Sequence, residues 1–151
     1  QYVTRQLDAV IPEDNGSNAR RLLPDVMGAL ERLEYCFSRI NLKYFCDAGQ
    51  ARFDHLHTDQ YAMFLYLLSN QIHRNGGAPR TAARLYALNK ALHGLDVYFE
   101  VQLPDIFAFQ HPVGTVLGRH GVEAWVGAQS PHASERGSVA SGSGRWTPYR
   151  A

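Results

Sequence analysis

Residues Leu95–Arg119 read LDVYFEVQLPDIFAFQHPVGTVLGR, and the spacing of their apolar residues decides the fold expected of the chain. Val97, Leu103 and Phe109 recur every six positions, and Val101, Phe107 and Val113 repeat the interval in a second register offset by four. Neither the helical period near 3.6 nor the strand period of 2 produces that pair of registers. A period of six belongs to the hexapeptide-repeat parallel β-helix, where each short strand forms one side of a coil and sends its apolar residue inward. About three hexapeptides close one coil, so residues some fifteen apart are expected almost in vertical register. Asp96 and His111 stand at that separation, with His111 directly before a Pro112-Val113-Gly114 turn.

The sequence before this stretch is helical. Pro24 suits the first turn of a helix, and Val26, Leu30, Leu33, Phe37 and Ile40 follow at alternating spacings of four and three, which predicts an amphipathic helix over about 24–40. Asp59 is placed to cap a second helix with an apolar face of Tyr61, Phe64, Leu65, Leu68 and Ile72, ended by Asn75-Gly76-Gly77-Ala78-Pro79. A third is expected from about Thr81 to His93, with Gly94 as its stop. Residues 1–23, with a Glu13–Ser17 turn cluster, read as loop, and 43–57 as a connection.

Three regions follow from these patterns: an α-helical N-terminal domain at 1–94, a first hexapeptide-repeat coil at 95–120, and a tail at 121–151. In the tail Gly, Ser and Ala dominate and neither period continues, so it is expected to be low-complexity, irregular and disordered.

Composition narrows the function. The 151 residues are 45% hydrophobic and 19% charged, as in an ordinary soluble domain. A net charge of +1 with scattered basic residues argues against a nucleic-acid partner. No apolar run reaches the roughly 18 residues of a membrane helix, and the N-terminal stretch lacks the apolar core of a signal peptide. Cys36 and Cys46, without CxxC or Cys/His spacing, read as reduced thiols, so a cytoplasmic protein is expected.

The helical unit followed by LDVYFEVQLPDIFAFQHPVGTVLG resembles the serine O-acetyltransferases, members of the hexapeptide-repeat acyltransferases. The resemblance covers roughly residues 25–119 and is most specific from Asp96 to Arg119. It implies a left-handed parallel β-helix after the helical domain and a homo-oligomer built from trimers. It also implies acetyl-CoA as co-substrate and L-serine as acceptor, in the first committed step of cysteine biosynthesis.

Carried over by position, the resemblance makes His111 the catalytic histidine and Asp96 its paired aspartate. A serine hydroxyl needs a base to remove its proton as it attacks a thioester, and imidazole titrates in the right range. A carboxylate on the other ring nitrogen fixes the tautomer and stabilises the imidazolium. Gln110 falls at a substrate-binding position where many members carry an aspartate for the serine amino group. Glutamine brings no such charge, which leaves a related hydroxyl or amine acceptor open.

The pattern stops at His120, whereas the family continues with further coils that supply the CoA groove. The tail reads like a frame-shifted coding sequence or an unrelated replacement, and a lone coil with an exposed apolar edge is expected to self-associate. A second reading is therefore a non-catalytic helical oligomerisation module, a truncated relative without the CoA site.

Other candidates carry less. His55 and His57 have a metal spacing, but only Asp54 and Asp59 lie near, so a solvated loop and no metal are expected. Arg80, Arg84 and Lys90 are expected on the solvated face of the third helix, and Tyr66 and Tyr98 as packing residues.

Overall fold

The order of helices follows from where the chain can bury apolar faces. A computed structural model describes residues 1–14, 16–40, 42–47 and 50–118. Helix α1 spans Tyr2–Val10, α2 Ala19–Phe37, α3 Thr58–Arg74 and α4 Pro79–His93. Two short strands of the α2–α3 connection, β1 (Cys46–Asp47) and β2 (Gln50–Ala51), pair antiparallel. Strands β3 (Asp96–Val97) and β4 (Val116–Leu117) pair in parallel. No helix among the described residues is long and apolar enough to cross a membrane.

Helix α3 is the centre. Thirteen of its residues are buried, on every side of the helix rather than along one stripe. A helix apolar all round belongs in the interior, and α2 and α4 pack on either side of it. Its end and the start of α4 fall where the Gly-Gly-Ala-Pro sequence predicts, with Pro79 in the first turn of α4. Gly94 closes α4 at φ 62°, a left-handed conformation that a side chain resists.

The N-terminal segment departs from the loop reading. Val3, Leu7 and Ile11 repeat at a spacing of four, and α1 buries Val3 and Leu7 against α4. Helix α2 begins earlier than Pro24: the Asn18 side-chain oxygen accepts from the Arg20 and Arg21 amides at 3.0 and 3.3 Å, capping the helix at Ala19. Pro24 lies inside the helix, and the buried face is Leu22, Ala29, Leu33, Cys36 and Phe37.

Arg84 is also not on a solvated face. It is buried and donates to the Leu7 and Ile11 carbonyls, Asp8, Glu13 and Ser17. A cation on the open carbonyls of a helix C-terminus opposes the helix dipole, and this one ties α1 to α4.

Beyond α4 the alternation is the strand period of two. Leu95, Val97, Phe99 and Val101 are buried, while Tyr98 and Gln102 point outward. Three of the six-residue positions, Val97, Val101 and Phe109, do lie inside, but Val113 is 79% exposed, so the second register does not run inward to its end. The chain returns beside itself with Asp96 opposite Val116 and Val97 opposite Leu117, twenty residues per circuit. Expectations for residues 119–151, the tail included, fall outside the described residues.

Among the described residues most of 98–115 has no neighbouring strand, and side chains of α2 and α3 hold it. The Tyr66 hydroxyl donates to the Val101 carbonyl (2.7 Å) and accepts from the Leu103 amide (3.1 Å). Asn70 Nδ2 donates to the carbonyls of Phe99 (2.8 Å) and Val101 (3.3 Å). Burial pushes the Cys36 thiol up, which keeps it protonated to donate to the Phe107 carbonyl at 3.1 Å. Asp59 Oδ2 accepts from the His111 amide at 3.2 Å. Asp59, Tyr66 and Asn70 recur at helical spacings of seven and four, so one stripe of α3 holds the return path at residues 99–103 and at His111, with Cys36 of α2 holding Phe107 between them.

Candidate functional site

His111 stands at the edge of an open pocket of about 550 Å³ between the 42–45 loop, the start of α3 and the 110–111 turn. Gln110, His57, Asp59 and Lys43 line it with His111. Local sequence explains the position of His111. Pro112, Val113, Gly114 and Thr115 form a turn closed by the Thr115 amide on the Pro112 carbonyl (2.9 Å), with Gly114 at φ 80°. His111 itself has φ 50°, the single non-glycine residue with positive φ among the described residues. Left-handed backbone costs a side-chain-bearing residue roughly 1–2 kcal/mol. The Asp59 carboxylate on the His111 amide holds that conformation.

Asp59 does not cap α3. It is the second residue of the helix, His57 occupies the cap position without a side-chain bond, and the Oδ2 of Asp59 accepts from the His111 amide. His57 is not part of a solvated loop: its ring lies edge-on to Phe45 at 5.7 Å, and its Nδ1 is buried with no hydrogen-bond partner among the described residues. Gln60, fully buried, accepts from the Asp54 amide (2.8 Å) and donates to the Tyr44 carbonyl, fastening the Tyr44 wall of the pocket and the turn at Asp54 to α3. No group of three or more His, Cys, Asp or Glu placed to hold a metal occurs among the described residues.

Asp96 lies elsewhere. Its two oxygens accept from the Tyr86 hydroxyl and from Lys90 Nζ, each at 2.6 Å. Burial draws the Asp96 carboxyl upward, but these hydrogen bonds and the Lys90 charge outweigh it and hold the group below its ordinary range. No hydrogen bond joins Asp96 to His111 among the described residues. The twenty-residue circuit explains the separation, because it sets Asp96 opposite Val116 and leaves His111 five residues short of that register.

The sequence-predicted positions thus divide. His111 and Gln110 share a pocket, and Asp96 belongs to a Tyr86–Lys90 cluster. Asp59 and His57, which join His111, are more than fifty residues away along the chain. Their signal, polar residues at the first turn of the most buried helix, is legible only once the return path of the chain is known.

Compared with known proteins, the chain matches no family model, no curated protein and no solved structure.

Proposed function

We propose that the His111 pocket is the acceptor side of a serine O-acetyltransferase-like site. The observation that carries this reading is the strained His111 backbone fixed by the Asp59 carboxylate at an open pocket. Strain of this kind persists where neighbouring structure over-determines it, and it concentrates at working sites.

In the proposed reaction the His111 imidazole removes the acceptor hydroxyl proton as the oxygen attacks the thioester carbonyl of acetyl-CoA. The carbon–sulfur bond breaks, the acetyl group passes to oxygen, and the departing thiolate takes the proton back from the imidazolium. Asp59 supplies the negative charge for the acceptor's ammonium group that Gln110 does not. Asp96, held by Tyr86 and Lys90, secures the start of the coil in this structure. Among the described residues the pocket lining has one lysine, Lys43, and no arginine, which fits a small acceptor rather than the phosphates of the donor.

The parallel pairing of Asp96–Val97 with Val116–Leu117 is what supports the same lineage, in which this segment would begin a left-handed parallel β-helix. An apolar pocket lined by Leu103, Phe107, Phe109, Pro112 and Leu117 lies against the coil and offers a surface for a following one to stack on. Leu23 and Met27, one turn apart on the outer side of α2 and both exposed, favour homo-oligomerisation as part of the proposal. Free thiols at Cys36 and Cys46 accord with a cytoplasmic setting.

The test is release of CoA thiol from acetyl-CoA by the purified chain, with and without L-serine. Serine-dependent release that His111→Ala and Asp59→Asn each reduce by roughly 100-fold or more is expected from loss of general-base assistance and of acceptor orientation. Release that neither substitution changes, or none at all from the folded chain, overturns the proposal and leaves the oligomerisation module.

A further inference from the structure

A second groove, of about 450 Å³, runs between α2, α3 and the 104–107 segment, away from His111. Arg32 is half-buried in its wall, and the partners of its guanidinium are neutral: Asn70 Oδ1 at 3.0 Å and Gln71 Oε1 at 3.2 Å. Asn70 cannot turn away, because its amide nitrogen is spent on the Phe99 and Val101 carbonyls. The guanidinium is therefore fixed in place, with two of its five N–H donors used by these bonds.

A buried charge is costly unless it is paired. Burial and the nearby Arg74 charge both press the Arg32 pKa downward, against weaker support from Tyr66 and Asp105. Arg74 lines the same groove, as do Glu31 and Asp105, and none of these four charges forms an ion pair among the described residues. Leu67 and Phe107 supply an apolar wall beside them.

Two cations and two carboxylates, all unpaired in one groove, select among ligands. A multivalent anion such as phosphate gains from the arginines but is repelled by Glu31 and Asp105. A carboxylate suits the planar guanidinium fork, and an ammonium on the same molecule suits the acidic pair.

We propose that this groove binds a free α-amino acid with an apolar side chain. Its carboxylate is taken by Arg32 and Arg74, its ammonium faces Asp105 and Glu31, and its side chain lies on Leu67 and Phe107. The site is independent of the acyl-transfer pocket.

Titration calorimetry of the whole chain with L-leucine, leucinamide, 4-methylpentanoate and inorganic phosphate tests it. L-leucine is expected to bind, while leucinamide, without the carboxylate, and 4-methylpentanoate, without the ammonium, bind at least about tenfold more weakly, the factor that one lost charge pair of ~1.4 kcal/mol produces. Arg32→Gln should cost a similar factor and shift the melting temperature by no more than a few degrees, since losing an unpaired charge offsets the loss of the donor to Asn70 Oδ1. Should that variant misfold, Arg74→Gln on the exposed side carries the same expectation. Asp59→Asn, in the His111 pocket, should leave leucine affinity unchanged. Absence of leucine binding at millimolar concentration, equal binding of leucinamide, tighter binding of phosphate than of leucine, or full affinity in the arginine variants overturns the proposal.

Discussion

Replacing Tyr66 by phenylalanine removes one oxygen from the interior and leaves the ring. The ring contacts with Phe107 (5.7 Å) and Phe109 (6.3 Å) survive, so the substitution isolates the hydroxyl. That hydroxyl makes two bonds to the return path of the chain, donating to Val101 and accepting from Leu103. After the change the Val101 carbonyl keeps the longer bond from Asn70 at 3.3 Å, but the Leu103 amide loses the acceptor that served it. A net hydrogen bond is worth about 1 kcal/mol, and a stranded buried donor costs about 1–3 kcal/mol. The expected loss is therefore about 2–4 kcal/mol, which for a chain of this size lowers the melting temperature by roughly 4–16 °C.

Thermal denaturation followed by circular dichroism measures it, and amide exchange locates it. Protection should fall first at residues 99–111. A Tyr66→Phe protein that melts within about 1 °C of the parent, with unchanged exchange at Leu103, would refute the docking of the coil by the α3 stripe.

Three other perturbations test separate contacts. His111→Gly relieves left-handed strain worth roughly 1–2 kcal/mol but adds about 0.5–1 kcal/mol of glycine chain entropy, and the side chain it removes is exposed; melting should shift by no more than a few degrees while serine-dependent thiol release is lost. Arg84→Ala strands the carbonyls and carboxylates gathered at the end of α1 and should destabilise by about 3–5 kcal/mol, the range for breaking a buried ion pair; faster trypsin cleavage at Arg20 and Arg21 reads it out. The depressed Asp96 carboxyl contributes stability that is present above its unfolded pKa near 3.9 and lost as pH falls through the lower folded value. Urea unfolding from pH 7 down to pH 2 should accordingly show an acid loss below about pH 4 that Asp96→Asn reduces; equal acid slopes in the two proteins would remove Asp96 from the account.

Punctuation residues made part of the fold readable from sequence. Gly76, Gly77, Pro79 and Gly94 act through local backbone geometry, and the ends they imply for α3 and α4 hold within two residues. Helix α1 went unread because its stripe is only three residues long and polar neighbours dilute it. The alternation at Leu95–Val101 was hidden differently: six is a multiple of two, so a period of six drawn from alternate members conceals the shorter period that the burial follows.

The pocket was half legible for a reason that also bears on its chemistry. His111 and Gln110 announce themselves through a local motif, whereas Asp59 reaches His111 only because α3 runs beneath the whole return path. One stripe of α3 both docks the coil through Tyr66 and Asn70 and sets the His111 backbone through Asp59. Docking of residues 99–103 and the His111 backbone conformation are thus coupled through a single helix. Loosening the stripe at Tyr66, whose hydroxyl bonds go to Val101 and Leu103, should move the pocket as well as the melting temperature. Chemistry and docking would separate only if α3 were not the element that positions both.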